Sequence, residues 1–180
     1  MIYALIMTEG TDEREFLKVL LEKGLLKFKQ EELLYETIYH KRQFDNELIA
    51  AIQQLGKDDQ VDIYRVGDKL SDKLVIPNDF TKYAPNRIRS IHDVIISPEF
   101  EMLMIINEGK YKDYLKVKSK KKPSKYYESL HKDYHKQTKY IREYFAKMSN
   151  GQIKDLADEY SQKRIRTLKE GQMSINSIII

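Results

Sequence analysis

Short apolar runs alternate with amphipathic segments along residues 1–109. Four runs have strand length and are rich in β-branched and aromatic residues, at 2–8, 33–39, 61–66 and 92–96. Between them, helices are predicted, mostly from apolar residues that recur every three or four positions, at 12–24, 44–55, 78–83 and 99–107. This alternation predicts an α/β fold with a mostly parallel sheet and helices on both faces.

The first predicted helix begins directly after the first strand. Thr11 or Asp12 is expected to cap it, and Gly24 is expected to end it. Glu9 and Gly10 therefore lie at the carboxyl end of a buried strand, where open α/β sheets build their binding sites. Glu-Gly is also a common pair in tight turns, so this position alone does not establish a function.

From residue 123 onward the pattern is helical, with aromatic residues at many of the apolar positions. We therefore expect an α/β core over 1–109 and a basic, helical C-terminal region over 110–180 that packs on the core. A length of 180 residues suits one domain with such an appendage.

Cysteine is absent from the sequence, which excludes disulfides and thiolate metal sites and fits a reducing compartment. The apolar run at the N-terminus is too short for a signal peptide or a membrane span. We therefore expect a soluble, cytoplasmic protein without a membrane partner.

The net charge of +4 is unevenly distributed. Residues 1–109 carry 14 Lys/Arg and 20 Asp/Glu, a net charge of −6, whereas residues 110–147 carry 13 and 4, a net charge of +9. An acidic first part and a basic block favour a cation site beside an anion-binding surface. Two ordinary solvated faces would give the same distribution.

Acidic residues follow three of the predicted strands. Glu9 follows the first, Asp68 and Asp72 follow the third, and Glu101 follows the fourth, close behind Pro98. The carboxyl ends of parallel strands meet at one edge of the sheet, and hard cations prefer oxygen ligands, so the three junctions together predict a Mg²⁺ site. Each acid alone could instead belong to a turn or a helix amino terminus.

The pattern Glu9-Gly10-x-x-Glu13-x-x-Phe16 resembles the opening motif of Toprim domains, in particular small stand-alone proteins of the RloB type. The segment 97–103, with Pro98 and Glu101, is similar to a later element of the same families, and the resemblance covers residues 2–108. It implies that Glu9 is the general acid/base and that Asp68, Asp72 and Glu101 hold Mg²⁺ or Mn²⁺.

The middle motif departs from the Toprim pattern. Toprim domains carry Asp-x-Asp after a strand, whereas the position two after Asp68 is Leu70 and the next acid is Asp72. Either Asp72 supplies the second ligand through a longer loop, or the site binds metal weakly or not at all.

The resemblance implies phosphoryl transfer on DNA or RNA by a Mg²⁺-dependent nuclease. It also implies a place in phage defence, with a partner ATPase. The alternative is a non-catalytic Toprim-like module that binds nucleic acid or forms a complex. The departure at Leu70 leaves both interpretations open.

The basic block fits a nucleic-acid partner, because residues 110–125 hold eight lysines and a single acid, Asp113. Tyrosines are interleaved with the lysines and could stack on unpaired bases. A solubilising loop and helix face is the alternative. The candidate phosphate contacts are Lys118, Lys120, Lys121, Lys122 and Lys125.

Overall fold

The computed structural model describes residues 1–68, 70, 73–84, 86–134 and 138–180. Within these residues, five strands form one sheet in which each neighbouring pair is parallel, in the order β2-β1-β3-β4-β5. The predicted fold class is therefore confirmed. The strands are β1 (Ile2–Thr8), β2 (Leu33–His40), β3 (Gln60–Gly67), β4 (Ile88–Ile95) and β5 (Gln172–Ser174).

Eight α-helices lie in the described part of the chain, three of them between the first four strands. Four of the five that follow β4 lie in the C-terminal region, which is helical as predicted. The helices are α1 (Thr11–Glu22), α2 (Asn46–Gln53), α3 (Asn78–Tyr83), α4 (Met102–Asn107), α5 (Tyr111–Val117), α6 (Pro123–Leu130), α7 (Thr138–Ala146) and α8 (Asn150–Arg164). Short 3-10 helices span Gln30–Glu32, Ile165–Thr167 and Ile175–Ile178.

Successive residues of β1 enter different halves of the core, as the pleat of a strand requires. Leu5 and Met7 pack with α2 and α3 on one face of the sheet. Ala4 and Ile6 pack with α1 and the C-terminal helices on the other. Both faces are therefore covered, which is why the strands read as continuous apolar runs.

The C-terminal region is built into the core of the protein. Its helices supply buried aromatic residues such as Phe145 and Tyr160, and β5 pairs with β4 at the edge of the sheet. The sequence pattern did not predict β5, which is three residues long and therefore too short to show a period. No helix among the described residues is long and apolar enough to cross a membrane.

The predicted cap of α1 and the predicted start of α4 were wrong. The residue before α1 is Gly10, and neither Thr11 nor Asp12 caps the helix, because both already lie within it. The helix predicted from 99 begins at Met102, after the cis Ser97-Pro98 peptide and a turn. The predicted stop was correct, since α1 ends at Glu22 and Gly24 takes the left-handed conformation, φ +64°.

Candidate metal and nucleic-acid site

The candidate site lies where the direction of the sheet changes. The crossover after β1 leads to β2 on one side, while β3 pairs with β1 on the other, so a crevice opens at the carboxyl ends of β1 and β3. The Glu9 N–H donates to the Val66 carbonyl at 2.9 Å, which holds the two strand ends together. The Ile96 N–H donates to the Gly67 carbonyl at 2.9 Å and brings the end of β4 beside them.

Carboxylates from three elements line a cleft of about 210 Å³ at this edge. Asp68 comes from the end of β3, Glu99 and Glu101 from the turn after β4, and two more acids from the first turn of α1. The structure thus brings two of the predicted metal ligands, Asp68 and Glu101, into one cleft. Gly10, Thr11, Asp12, Glu13 and Phe100 complete its described lining.

Glu13 is a strongly perturbed acid of the cleft. Its side chain is buried, and a Cβ atom on Gly10 would collide with its Oε2. The pKa of Glu13 is raised from 4.5 to about 7, mainly by burial and also by the nearby charges of Asp12, Asp68 and Glu9, which together outweigh the hydrogen bond from its own backbone. The sequence prediction of ligands omitted Glu13, although it is the second acid of the Glu9-Gly10-x-x-Glu13 motif.

Glu9, the predicted general acid/base, lies beside the cleft and is not one of its described lining residues. Its carboxylate rests over Gly67, where a Cβ atom would come within 2.6 Å of Glu9 Oε2. The Arg42 guanidinium forms an ion pair with Glu9 Oε1 at 3.1 Å, and its side chain is 69% exposed. Glu9 is therefore at the predicted sheet edge, held by a partner that solvent can reach.

The two glutamates after β4 are hydrogen-bonded to the C-terminal region. Glu101 is 2% exposed and accepts a hydrogen bond at 2.9 Å from the Tyr134 hydroxyl. Burial and the Glu101 carboxylate together raise the pKa of Tyr134 well above its usual range, so this hydroxyl stays a donor. Glu99 Oε2 accepts from the Ser124 N–H at 2.8 Å, at the start of α6.

The oxygen-rich lining is chemically suited to a hard cation, and mutual repulsion of the carboxylates is what such a cation relieves. Among the described residues, however, no three His, Asp or Glu side chains are arranged as a set that could hold a metal ion. Asp72, the predicted substitute for the missing aspartate, lies outside the described residues.

The predicted phosphate contacts lie on the turn between α5 and α6 and on the first turn of α6, here called the basic turn (residues 118–125). All five of its lysines are exposed, and Lys125 pairs with Glu128 at 2.7 Å. The bond between Ser124 and Glu99 attaches the basic turn to the acidic cleft. Of the tyrosines interleaved with the lysines, Tyr114 and Tyr127 are buried and cannot stack on bases, and Tyr126 is buried as well.

Tyr160 of α8 binds the turn after β4, close to the glutamates of the cleft. Its hydroxyl accepts from the Ser97 N–H at 2.7 Å and donates to the Ser97 carbonyl at 3.0 Å. Arg164, one turn further along α8, donates to Ser97 Oγ at 3.3 Å. These contacts fix the turn that carries Glu99 and Glu101, and sequence spacing could not reveal them because more than 60 residues separate the partners.

The described geometry thus unites carboxylates from β3, α1 and the turn after β4, with lysines beside them. The resemblance to Toprim domains rests on the short motifs around Glu9 and Pro98. Comparison of the chain with protein-family models, with curated proteins and with solved structures gives no match.

Proposed function

We propose that this protein is a divalent-metal-dependent phosphoryl-transfer enzyme that acts on nucleic acid, most simply a nuclease. The observation that carries the proposal is the acidic cleft at the carboxyl edge of the sheet with the basic turn attached to it through Glu99 and Ser124. A polyanion needs the lysines to approach such a cleft, since carboxylates alone repel it.

Asp68 and Glu101 line the cleft that would hold Mg²⁺ or Mn²⁺, and Asp72, outside the described residues, is the predicted third ligand. A bound divalent cation supplies charge neutralisation at the scissile phosphate and orients the attacking oxygen. Tyr134 donates to Glu101 Oε1 and so fixes the orientation of this carboxylate.

Proton transfer is assigned to the glutamates nearest the crevice. Glu9 remains the proposed general acid/base, at the end of β1. Glu13 is a second candidate, because a pKa of about 7 lets a carboxyl group hold or release a proton at neutral pH. The lysines of the basic turn bind the flanking phosphates and carry no proton in this scheme.

Cleavage of end-labelled single-stranded and duplex DNA and RNA, with and without Mg²⁺ or Mn²⁺, tests the proposal. We expect metal-dependent cleavage by the parent protein and a loss of at least about 100-fold in Asp68→Asn and Glu101→Gln, as for removal of a metal ligand or its orientation. Asp155→Asn, an exposed position on α8, is the matched control and should cleave like the parent. Equal rates in all four proteins would refute the enzyme assignment.

The second candidate function is a non-catalytic module that binds nucleic acid or assembles with another protein. It is favoured by the lack, among the described residues, of three acids or histidines in an ion-holding arrangement. Salt-dependent binding without cleavage in either metal would select this function. The partner ATPase and the role in phage defence stay predictions of the resemblance.

A further inference from the structure

A second cavity, of about 250 Å³, adjoins the acidic cleft. Asp68 belongs to both spaces and forms the wall between them. The buried side chains of Leu70 and Ile95 also line it. We call this space the side cavity.

Polar side chains surround the rest of the side cavity, all of them at or beyond the end of β4 or just before and within β5. They are Ser97, Thr167, Lys169 and Gln172. The Oε1 atom of Gln172 accepts from the Lys169 N–H at 2.9 Å, which orients the amide so that its NH₂ group is the end left for a ligand. The Thr167 hydroxyl donates to the Arg164 carbonyl at 2.7 Å and keeps lone pairs as acceptors.

This combination suits a small, flat, partly polar ligand. A cavity that binds drug-sized ligands is usually larger than about 300 Å³. Its lining is mostly apolar, and a few polar groups fix the orientation of the ligand. The side cavity is smaller, and it pairs apolar side chains with both donors and acceptors. A nucleobase has the same features, since its faces are apolar and its edge carries donors and acceptors.

We propose that the side cavity receives one unpaired nucleobase of the substrate, next to the phosphate that lies in the acidic cleft. This inference rests on the proposed function, because it assumes that a nucleic-acid backbone crosses the cleft. The shared wall at Asp68 places base and phosphate in adjacent spaces, as in a single nucleotide. The rest of the strand then continues past Glu99 to the basic turn.

The substrate class follows from the position of the base. A base within a duplex is stacked and paired, so it can enter a cavity only after extrusion at an energetic cost. A single strand, a frayed end or a flap presents its bases without that cost. The protein therefore selects single-stranded or unpaired nucleic acid over a fully paired duplex.

The test measures binding of a fluorescent 12-nucleotide single strand and of the blunt duplex of the same sequence to the full chain. Both are measured in EDTA, so that the result depends neither on metal nor on cleavage. We expect the single strand to bind about tenfold or more tightly than the duplex, the contribution of one well-held base. Thr167→Phe fills the mouth of the side cavity at an exposed position and should bring the two affinities within about threefold.

Thr138→Phe, at an exposed threonine at the start of α7, is the matched control and should keep the full preference. Lys169→Ala is a second variant that removes a lining side chain without adding bulk, and it should also lower the preference. Unfolding curves for each variant show that the fold is retained.

A parent protein without preference, or a Thr167→Phe protein with undiminished preference, would overturn the inference. Cleavage measured separately with Mg²⁺ distinguishes failure of the side-cavity inference from failure of the proposed function. A chain that prefers single strands in EDTA but never cleaves would refute the enzyme and leave the side cavity supported. A chain that cleaves, with Thr167→Phe retaining the preference, would refute the side cavity alone.

Discussion

Two carboxylates at the sheet edge fit because a glycine lies beneath each of them. Glu13 folds over Gly10, and Glu9 rests over Gly67, with its Cβ only 2.7 Å from where a Cβ on Gly67 would stand. A side chain at either position would push the acid away from the crevice. The glycines are therefore part of the site, although neither carries any chemistry itself.

Gly67→Ala is expected to displace Glu9 and to lower the free energy of unfolding by about 1–3 kcal/mol, the range of overpacking. Chemical denaturation measures this change. Gly151→Ala is the matched control, since its Cβ meets nothing closer than 4.0 Å and alanine favours the helix α8. A Gly67→Ala protein as stable as the parent would show that Glu9 does not occupy this position.

Glu13 gives stability a defined pH dependence. Its folded-state pKa of about 7 lies above the usual 4.5, so the folded protein keeps a proton that the unfolded chain releases. This contribution is fully present below about pH 4.5 and is lost as the pH rises to about 7. The loss amounts to at most about 3 kcal/mol at pH 8.

Glu13→Gln should remove this loss, so we expect the variant to be more stable than the parent at pH 8 and similar to it at pH 5. Thermal unfolding across this range measures both, with Glu31→Gln, an exposed position, as the control. Parallel pH profiles of the parent and Glu13→Gln would contradict the raised pKa.

At the scale of elements, the basic turn is a compact group of exposed lysines rather than a dispersed charge. Replacing four of them, Lys120, Lys121, Lys122 and Lys125, with alanine should weaken nucleic-acid binding and flatten its salt dependence. The slope of log K against log salt should fall by about 0.7–0.9 for each lost phosphate contact. Fluorescence anisotropy between 50 and 300 mM salt, roughly the range over which such contacts weaken, gives this slope.

The matched control replaces four exposed lysines away from the basic turn, Lys27, Lys29, Lys57 and Lys154, and changes the net charge equally. If both quadruple variants lose affinity to the same degree, the contribution is net charge and not the basic turn. If neither loses affinity, the basic turn is only a solvated surface.

The Tyr160 hydroxyl of helix α8 makes two of the hydrogen bonds that hold the turn after β4. Tyr160→Phe leaves the Ser97 N–H and carbonyl without that partner, so we expect the free energy of unfolding to fall by about 1–3 kcal/mol. The carboxylates on the turn should also lose part of their fixed position. Tyr111→Phe on α5 is the control, and equal stability of the two variants would contradict the supporting role of Tyr160.

Periodicity predicted the four long strands and α1 to within a few residues, because each buries a regular face. It failed where local pattern carries little information. The start of β4 was missed because Arg89 and Ser90 interrupt the apolar run, and β5 was missed because three residues show no period. The acids after the strands were predictable, whereas the hydrogen bonds of Glu101 with Tyr134 and of Glu99 with Ser124 join residues that are distant in sequence. The same holds for the bond between Ser97 and Tyr160.

At the scale of the whole molecule, the parallel sheet gathers acids from separate parts of the chain, and the C-terminal helices bring lysines beside them. The acidic part of the chain (1–109, net charge −6) and the basic part (110–147, net charge +9) thus meet at the hydrogen bond between Glu99 and Ser124. The central claim is that the acidic cleft binds a divalent cation.

The most direct test is thermal unfolding of the parent and Asp68→Asn with increasing Mg²⁺ or Mn²⁺ at pH 8, where Glu13 is ionised. We expect the parent to gain about 2.7 kcal/mol at a hundred times the dissociation constant, or about 5–11 °C. Asp155→Asn should gain the same and Asp68→Asn should gain none. No metal-dependent shift in the parent at millimolar concentration, or an undiminished shift in Asp68→Asn, would contradict the account.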